Sequence, residues 1–170
     1  MALSHRQYID ALREALGPAL CVRGFPCQDV ERHNKPEVEY QSSGELLLEP
    51  VTVARSDGAR VLIEGAINSV RVSVKIKQSD ALEQILVRMY MRFLMQRAES
   101  FEILRRVPVE DYDISFLITD AHCLRMSRRG LQEFICGLVA DMDAEISRLK
   151  LAVNTRGRAV ASEFLRSMTA

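Results

Sequence analysis

The 170-residue chain is 48% apolar and 27% charged, which fits one globular domain able to bury a core without disulfide or metal staples. Its 23 Lys plus Arg balance 23 Asp plus Glu, so it lacks the basic surplus of a general nucleic-acid binder. With 6% aromatics and no Trp it also lacks base-stacking platforms, and no nucleic acid is expected among its partners.

The N-terminus shows no basic head followed by an apolar segment, and no apolar run approaches the ~18 residues of a membrane span. Cys21, Cys27, Cys123 and Cys136 form no C-x-x-C pair. They read as small apolar filler in a reducing compartment. A soluble, intracellular chain with no membrane partner is expected.

Ser4 is placed to cap a first helix, in which Tyr8, Leu12, Ala15 and Leu16 recur at helical spacing before Gly17-Pro18 closes or kinks it. Residues 21 to 44 read as irregular, punctuated by Gly24, Pro26, Pro36 and Gly44. Within them the mixed-charge run 31–37 reads as a solvated loop. Residues 46–53 form a first strand whose Pro50 suits an edge or a bulge. Ser56-Asp57-Gly58 supplies a turn, and 61–67 is a second strand interrupted by Gly65. Val70, Val72, Val74 and Ile76 alternate with Arg71, Ser73, Lys75 and Lys77, a half-buried third strand with a basic outer side.

Asp80 and Glu83 make a capping-box start for a second helix running to about Ala98. Leu82, Ile85, Leu86, Met89 and Phe93 mark its expected inner face. Met89, Met91 and Met95 fit adaptable core filler, with a promiscuous binding groove as the alternative. Residues 101–106 and 112–119 read as a hairpin through Pro108 and Asp111. The order is α-β-β-β-α-β-β-α, an α+β fold with an antiparallel sheet. A single domain spans 1–170: a body at 1–124 and a long last helix at 125–166.

In that helix Leu131, Ile135, Leu138, Met142, Ile146, Leu149, Val153, Gly157, Val160 and Phe164 are spaced 4-3-4, an 11-residue period. Such a period belongs to an almost straight helix with a slight right-handed drift. From 125 to 166 it spans ~60 Å, against a radius of gyration of ~15 Å for a compact chain of this length. One end must therefore project past the sheet with its apolar stripe uncovered, and a partner protein is implied. Charge is segregated too. Glu133, Asp141, Asp143 and Glu145 precede Arg148, Lys150, Arg156, Arg158 and Arg166. Complementing the helix dipole explains only a terminal turn of this. A second, basic surface is the other reading. Lys150, Arg158 and Arg166 step from the stripe's flank towards its far side.

Catalytic and cofactor motifs are missing: no P-loop, G-x-G-x-x-G, H-E-x-x-H or G-x-S-x-G occurs. His5, His33 and His122 lack metal-ligand spacing, so neither metal nor cofactor is expected. Asp120, His122 and Cys123 form the best nucleophile-and-base cluster. A loop of satisfied polar residues is preferred there, because adjacent side chains diverge. A cysteine hydrolase centred on Cys123 and a secretion-chaperone-like dimer remain the rival readings.

Long strings then carry a resemblance. They include residues 30–39 (VERHNKPEVE), 45–48, 61–73 (VLIEGAINSVRVS), 91–93, 97–99, 103–106, 112–119 (YDISFLIT), 145–147 and 163–165. The chain resembles the family of subunit 4, the 20 kDa subunit, of the actin-related protein 2/3 complex, which nucleates branched actin filaments. The resemblance runs from the first helix to the C-terminus. It implies a non-catalytic scaffold in the cytoplasmic actin cytoskeleton and cell projections, within a seven-subunit assembly. It further implies that the last helix pairs with the corresponding helix of subunit 2. The stripe Leu131, Ile135, Leu138, Met142, Ile146, Leu149, Val153, Val160 and Phe164 would supply that packing. Lys150, Arg158 and Arg166 would meet the actin filament, which is acidic; position 166 commonly carries Lys in the family, and Arg keeps the charge. Gly130, Gly137 and Gly157 depart from the family pattern in or beside this helix, each at about 1 kcal/mol against Ala. The stretch 121–130 also matches poorly.

Overall fold

The computed structural model describes residues 3–24, 35–96, 102–105 and 107–168. The polar loop expected at 31–37 lies outside them up to position 34. Helix α1 (His5–Ala19) starts on a capping box. Gln7 N–H donates to Ser4 Oγ at 3.3 Å, and Ser4 N–H donates to Gln7 Oε1 at 3.0 Å. Tyr8, Leu12 and Leu16 fall on one face and are buried. The helix does not stop at Gly17-Pro18. Pro18 sits in the last turn, where it removes a single helical donor, and Leu20 N–H still reaches Leu16 O at 3.0 Å.

Only the later part of the strand expected at 46–53 forms as a strand; Gly44–Leu46 is a 3-10 turn and Leu47 makes an isolated bridge to Ala66. Leu46 O accepts from Ile67 N–H and Leu48 N–H donates to Gly65 O, both at 2.9 Å. Pro50 has no donor and interrupts the ladder, so β1 proper is Val51–Ser56. Asp57-Gly58 turns the chain into β2 (Ala59–Ala66), and Ile67-Asn68 turns it into β3 (Ser69–Lys75). The second of these turns is also an anchor. Asn68 accepts from Glu37 N–H at 3.0 Å and donates to Lys35 O at 3.1 Å, while Ser69 Oγ accepts from Val38 N–H at 3.2 Å. These bonds fix the short helix α2 (Glu37–Tyr40) over the end of the sheet.

Helix α3 (Ala81–Gln96) leads to β4 (Ile114–Thr119). The sheet is antiparallel throughout, in the order β1-β2-β3-β4. Among the described residues the strand expected at 101–106 is reduced to a bridge between Leu104 and Phe116. Arg105 N–H and Leu117 N–H add bonds to Ser115 O and Ile103 O. The connection folds over the sheet instead of extending. Val109 N–H is drawn onto Ser115 Oγ at 3.0 Å, and the Asp113 carboxylate takes Ile76 N–H at 2.8 Å and Gln78 Nε2 at 2.9 Å.

Alternation sorts the strands into two faces. Val61, Ile63, Val72, Val74, Ile114, Phe116 and Ile118 are buried under the helices. The opposite face holds the Arg71–Glu64 pair, bonded at 2.7 and 2.9 Å, and Ser73 Oγ against Ser115 Oγ at 2.9 Å. Ser73 is therefore buried, not solvent-facing as its alternation with lysines predicts. Helix α4 (Asp120–Met126) follows β4 directly, and α5 (Arg128–Met168) lies across the core, touching α1, α3 and α4. The class is α+β, as expected. Among the described residues Phe116 is the largest fully buried side chain. Phe116→Ala should destabilise the chain by about 3–5 kcal/mol, read as a lowered midpoint in chemical denaturation.

Candidate interaction surface on the last helix

Ser127 separates α4 from α5. It sits at φ 61°, its Oγ accepts Gly130 N–H at 3.1 Å, and its carbonyl accepts Leu131 N–H at 3.0 Å. The long helix thus begins at Arg128, not at 125, with Ser127 as its cap. Gly130 stands in that first turn, where an added Cβ would come within 3.2 Å of the capping oxygen.

The apolar stripe divides by burial. Leu131, Ile135, Met142 and Ile146 belong to the chain's own core, with Cys136 and Val139 beside them. Leu138 is half-buried against it, and Leu149 is half-buried at the edge of the body. A partner helix cannot use the four core positions, because the sheet and α1 already occupy that side. Of the stripe positions expected to meet a partner, Val153, Val160 and Phe164 are exposed. Every described side chain from 151 to 167 is exposed, a length of about 25 Å at ~1.5 Å per residue. Val153 is 40%, Val160 67% and Phe164 64% exposed. With Gly157 and Ala161 they line a shallow apolar notch along the helix. A Cβ at Gly157 would meet nothing within 4 Å, so nothing in this chain requires a glycine there.

The three basic positions differ in their surroundings. Lys150 Nζ lies 2.5 Å from Glu83 Oε1 and 3.4 Å from Asp80 Oδ2. Asp80 also caps α3 through Glu83 N–H at 2.8 Å, and the second Glu83 oxygen takes Ser79 N–H. Lys150 followed by the Ser79 N–H holds the Glu83 carboxyl down at about 2. This latch was not foreseen. The sequence signal for it was the acidic cap of α3 matched by a lysine at the point where α5 leaves the body. Arg158 is exposed beyond it, and Arg166 stands in the last turn of the helix, which ends at Met168. Both fall on the opposite side of the helix from Val160 and Phe164, at 100° per residue.

Nearer the body, Asp143 meets His5 Nδ1 at 3.4 Å and Arg55 at 3.8 Å. Burial raises the Asp143 carboxyl, and the two bases partly offset that. Together with Lys77, Lys150 and Glu83 these groups line a cavity of about 700 Å³ at the corner where helix and body part.

The Asp120, His122 and Cys123 cluster stands on α4, not in a loop. His122 Nδ1 faces Thr119 N–H at 3.0 Å and Thr119 Oγ1 at 3.1 Å, so the ring caps the helix. Cys123 is buried with Sγ 3.9 Å from Leu20 O, and burial raises its thiol. Cys136 is pushed up by burial to about 11. A thiol held protonated, beside a histidine engaged elsewhere, lacks the activation a nucleophile needs. Iodoacetamide at neutral pH should alkylate the exposed Cys21 well before Cys123 or Cys136, as read by mass spectrometry. Faster modification of Cys123 would reverse this reading.

The latch has its own pH signature. A depressed carboxyl contributes stability fully above its unfolded value of 4.5 and loses it as pH falls through about 2. The Glu83 carboxyl should titrate near 2 in a carbon-detected NMR series. Lys150→Met should return it most of the way to the ordinary glutamate range.

Comparison with known proteins gives a consistent answer. The family described as "ARP2/3 complex 20 kDa subunit (ARPC4)" matches residues 1–167. Actin-related protein 2/3 complex subunit 4 of Dictyostelium discoideum is 52% identical over 167 residues, covering 98% of this chain and 99% of that protein. The probable subunit 4 of Caenorhabditis elegans is 50% identical over 166 residues, covering 98% of each. Subunit 4 of Saccharomyces cerevisiae is 50% identical over 166 residues, covering 97% of each. On a match of this length and density the chain belongs to the ARP2/3 complex 20 kDa subunit family.

Proposed function

We propose that the chain is a non-catalytic core scaffold subunit of the actin-related protein 2/3 complex, supporting nucleation of branched actin filaments. Its working part is the outer half of α5, and one observation carries this reading. The apolar face that packs the core from Leu131 to Ile146 continues, uncovered, through Val153, Val160 and Phe164. A full side-chain burial is worth about 1.5–3 kcal/mol, so three such residues favour a covering chain. On this reading the cover is the matching helix of subunit 2. Leu149 sits at the boundary between the two packings, and Leu138 serves the body.

The far side of the same helix then faces the mother filament through Arg158 and Arg166. Lys150 holds the base of that surface while remaining paired with α3. Acidic actin supplies the complementary charge. A place in the cytoplasmic actin cytoskeleton and cell projections follows from the same reading.

Two substitution sets separate the faces. Val160→Asp with Phe164→Asp should abolish co-purification with subunit 2, because neither side chain belongs to the core. Arg158→Glu with Arg166→Glu should leave assembly intact and weaken cosedimentation with filaments about tenfold at low salt. Unchanged cosedimentation would overturn the filament contact. A monodisperse homodimer formed without subunit 2 would overturn the pairing and favour a chaperone-like dimer.

A further inference from the structure

Helix α3 is apolar on two sides, and the two differ in burial. Leu86, Val87, Met91 and Leu94 are buried, whereas Ile85, Met89 and Phe93 are 53%, 65% and 46% exposed. The exposed three are spaced four apart, so they form a ridge ~12 Å long at ~1.5 Å per residue. Exposed single hydrophobes are ordinary, but an aligned row marks a contact surface. This row lies on a different element from the α5 stripe and does not depend on the pairing with subunit 2.

Charge says what fits it. Arg88 and Arg92 are exposed beside the ridge, and among the described residues neither joins an ion pair. From Gln84 to Gln96 there is no acidic residue, and Glu83 is closed off by Lys150 and Ser79. The ridge therefore presents apolar side chains next to a wholly positive row. A helix offers no free main-chain ladder, so an extended strand gains no backbone bonds here. A second helix can lay its own i, i+4 row along the ridge. A second copy of this chain would set like charges opposite each other in a two-fold pairing. Two arginines also fall short of the ~4–8 basic residues of an anionic-lipid patch.

We infer that the Ile85–Met89–Phe93 ridge is a docking site for an amphipathic helix of another protein whose apolar row is flanked by Asp and Glu. The arginines select the partner and set its orientation, and the ridge supplies the buried area.

The test places a photo-crosslinking amino acid at position 89 of the full chain within its purified native assembly. The expected result is an adduct to one helical segment with acidic residues within a turn of its apolar row. Arg88→Glu with Arg92→Glu should lower adduct yield at least tenfold while assembly through α5 persists. If no adduct forms, the ridge is open, and two helical peptides with one leucine row decide the matter by fluorescence anisotropy. The Glu-flanked peptide should bind at least tenfold more tightly than the Lys-flanked one, with the order reversed in the double variant. An adduct to lipid, to a second copy or to a segment without acidic residues overturns the inference. So does equal or undetectable binding of both peptides to an adduct-free assembly.

Discussion

Everything in this molecule turns on one continuous packing seam along α5. Its inner half, from Leu131 to Ile146, lies across the sheet with α1 and α3 alongside and completes a core that includes Phe116, Ile114 and Val72. A helix that is mostly solvent-facing at its outer end owes its persistence to this root, because short isolated helices are marginal in water. The 11-residue period keeps the seam on one side of a nearly straight rod. The side that meets the sheet is for that reason also the side left open beyond it.

The body is arranged to hold that rod at both flanks. Arg13 of α1 reaches Glu133 at 3.0 Å, and the Gln132 amide donates to Arg13 O at 2.5 Å. His5 and Arg55 approach Asp143 further along, and Lys150 finally meets the cap of α3. Exposed ion pairs contribute little singly. Here they are distributed along the helix, so they restrict rotation and sliding more than they add stability.

Much of this was legible in the residues, and the failures have physical causes. The Ser4 cap, the alternation of β3 apart from the buried Ser73, and the period of α5 are local patterns that survive in the fold. The inner face of α3 was misjudged for a simple reason. That helix carries apolar residues on two sides, so spacing alone cannot say that Leu86 and Leu94 are buried while Ile85 and Met89 face outward. Residues 103–105 have strand-like sequence, but the side chains of Ser115 and Asp113 divert the connection, which is a tertiary effect. Ser127 adopts a positive φ that glycine or asparagine would have advertised, and serine does not. The long stripe hid its own division, since one period serves both an internal core and an external seam. The pairing of Lys150 joins residues far apart in sequence and was invisible to any local pattern.

That last pairing has a mechanical meaning. From Lys150 outward α5 is a cantilever of about 25 Å, and its tip carries Phe164 and Arg166. A tilt of about 5° at the root would displace such a tip by roughly 2 Å over that length, enough to misalign a side-chain contact. The carboxylates of Asp80 and Glu83 grip Lys150 at the fulcrum. Glu83 belongs to the first turn of α3 and Asp80 caps it, so the angle of the lever is referenced to a second helix. Aim, in this protein, is set where the arm is shortest.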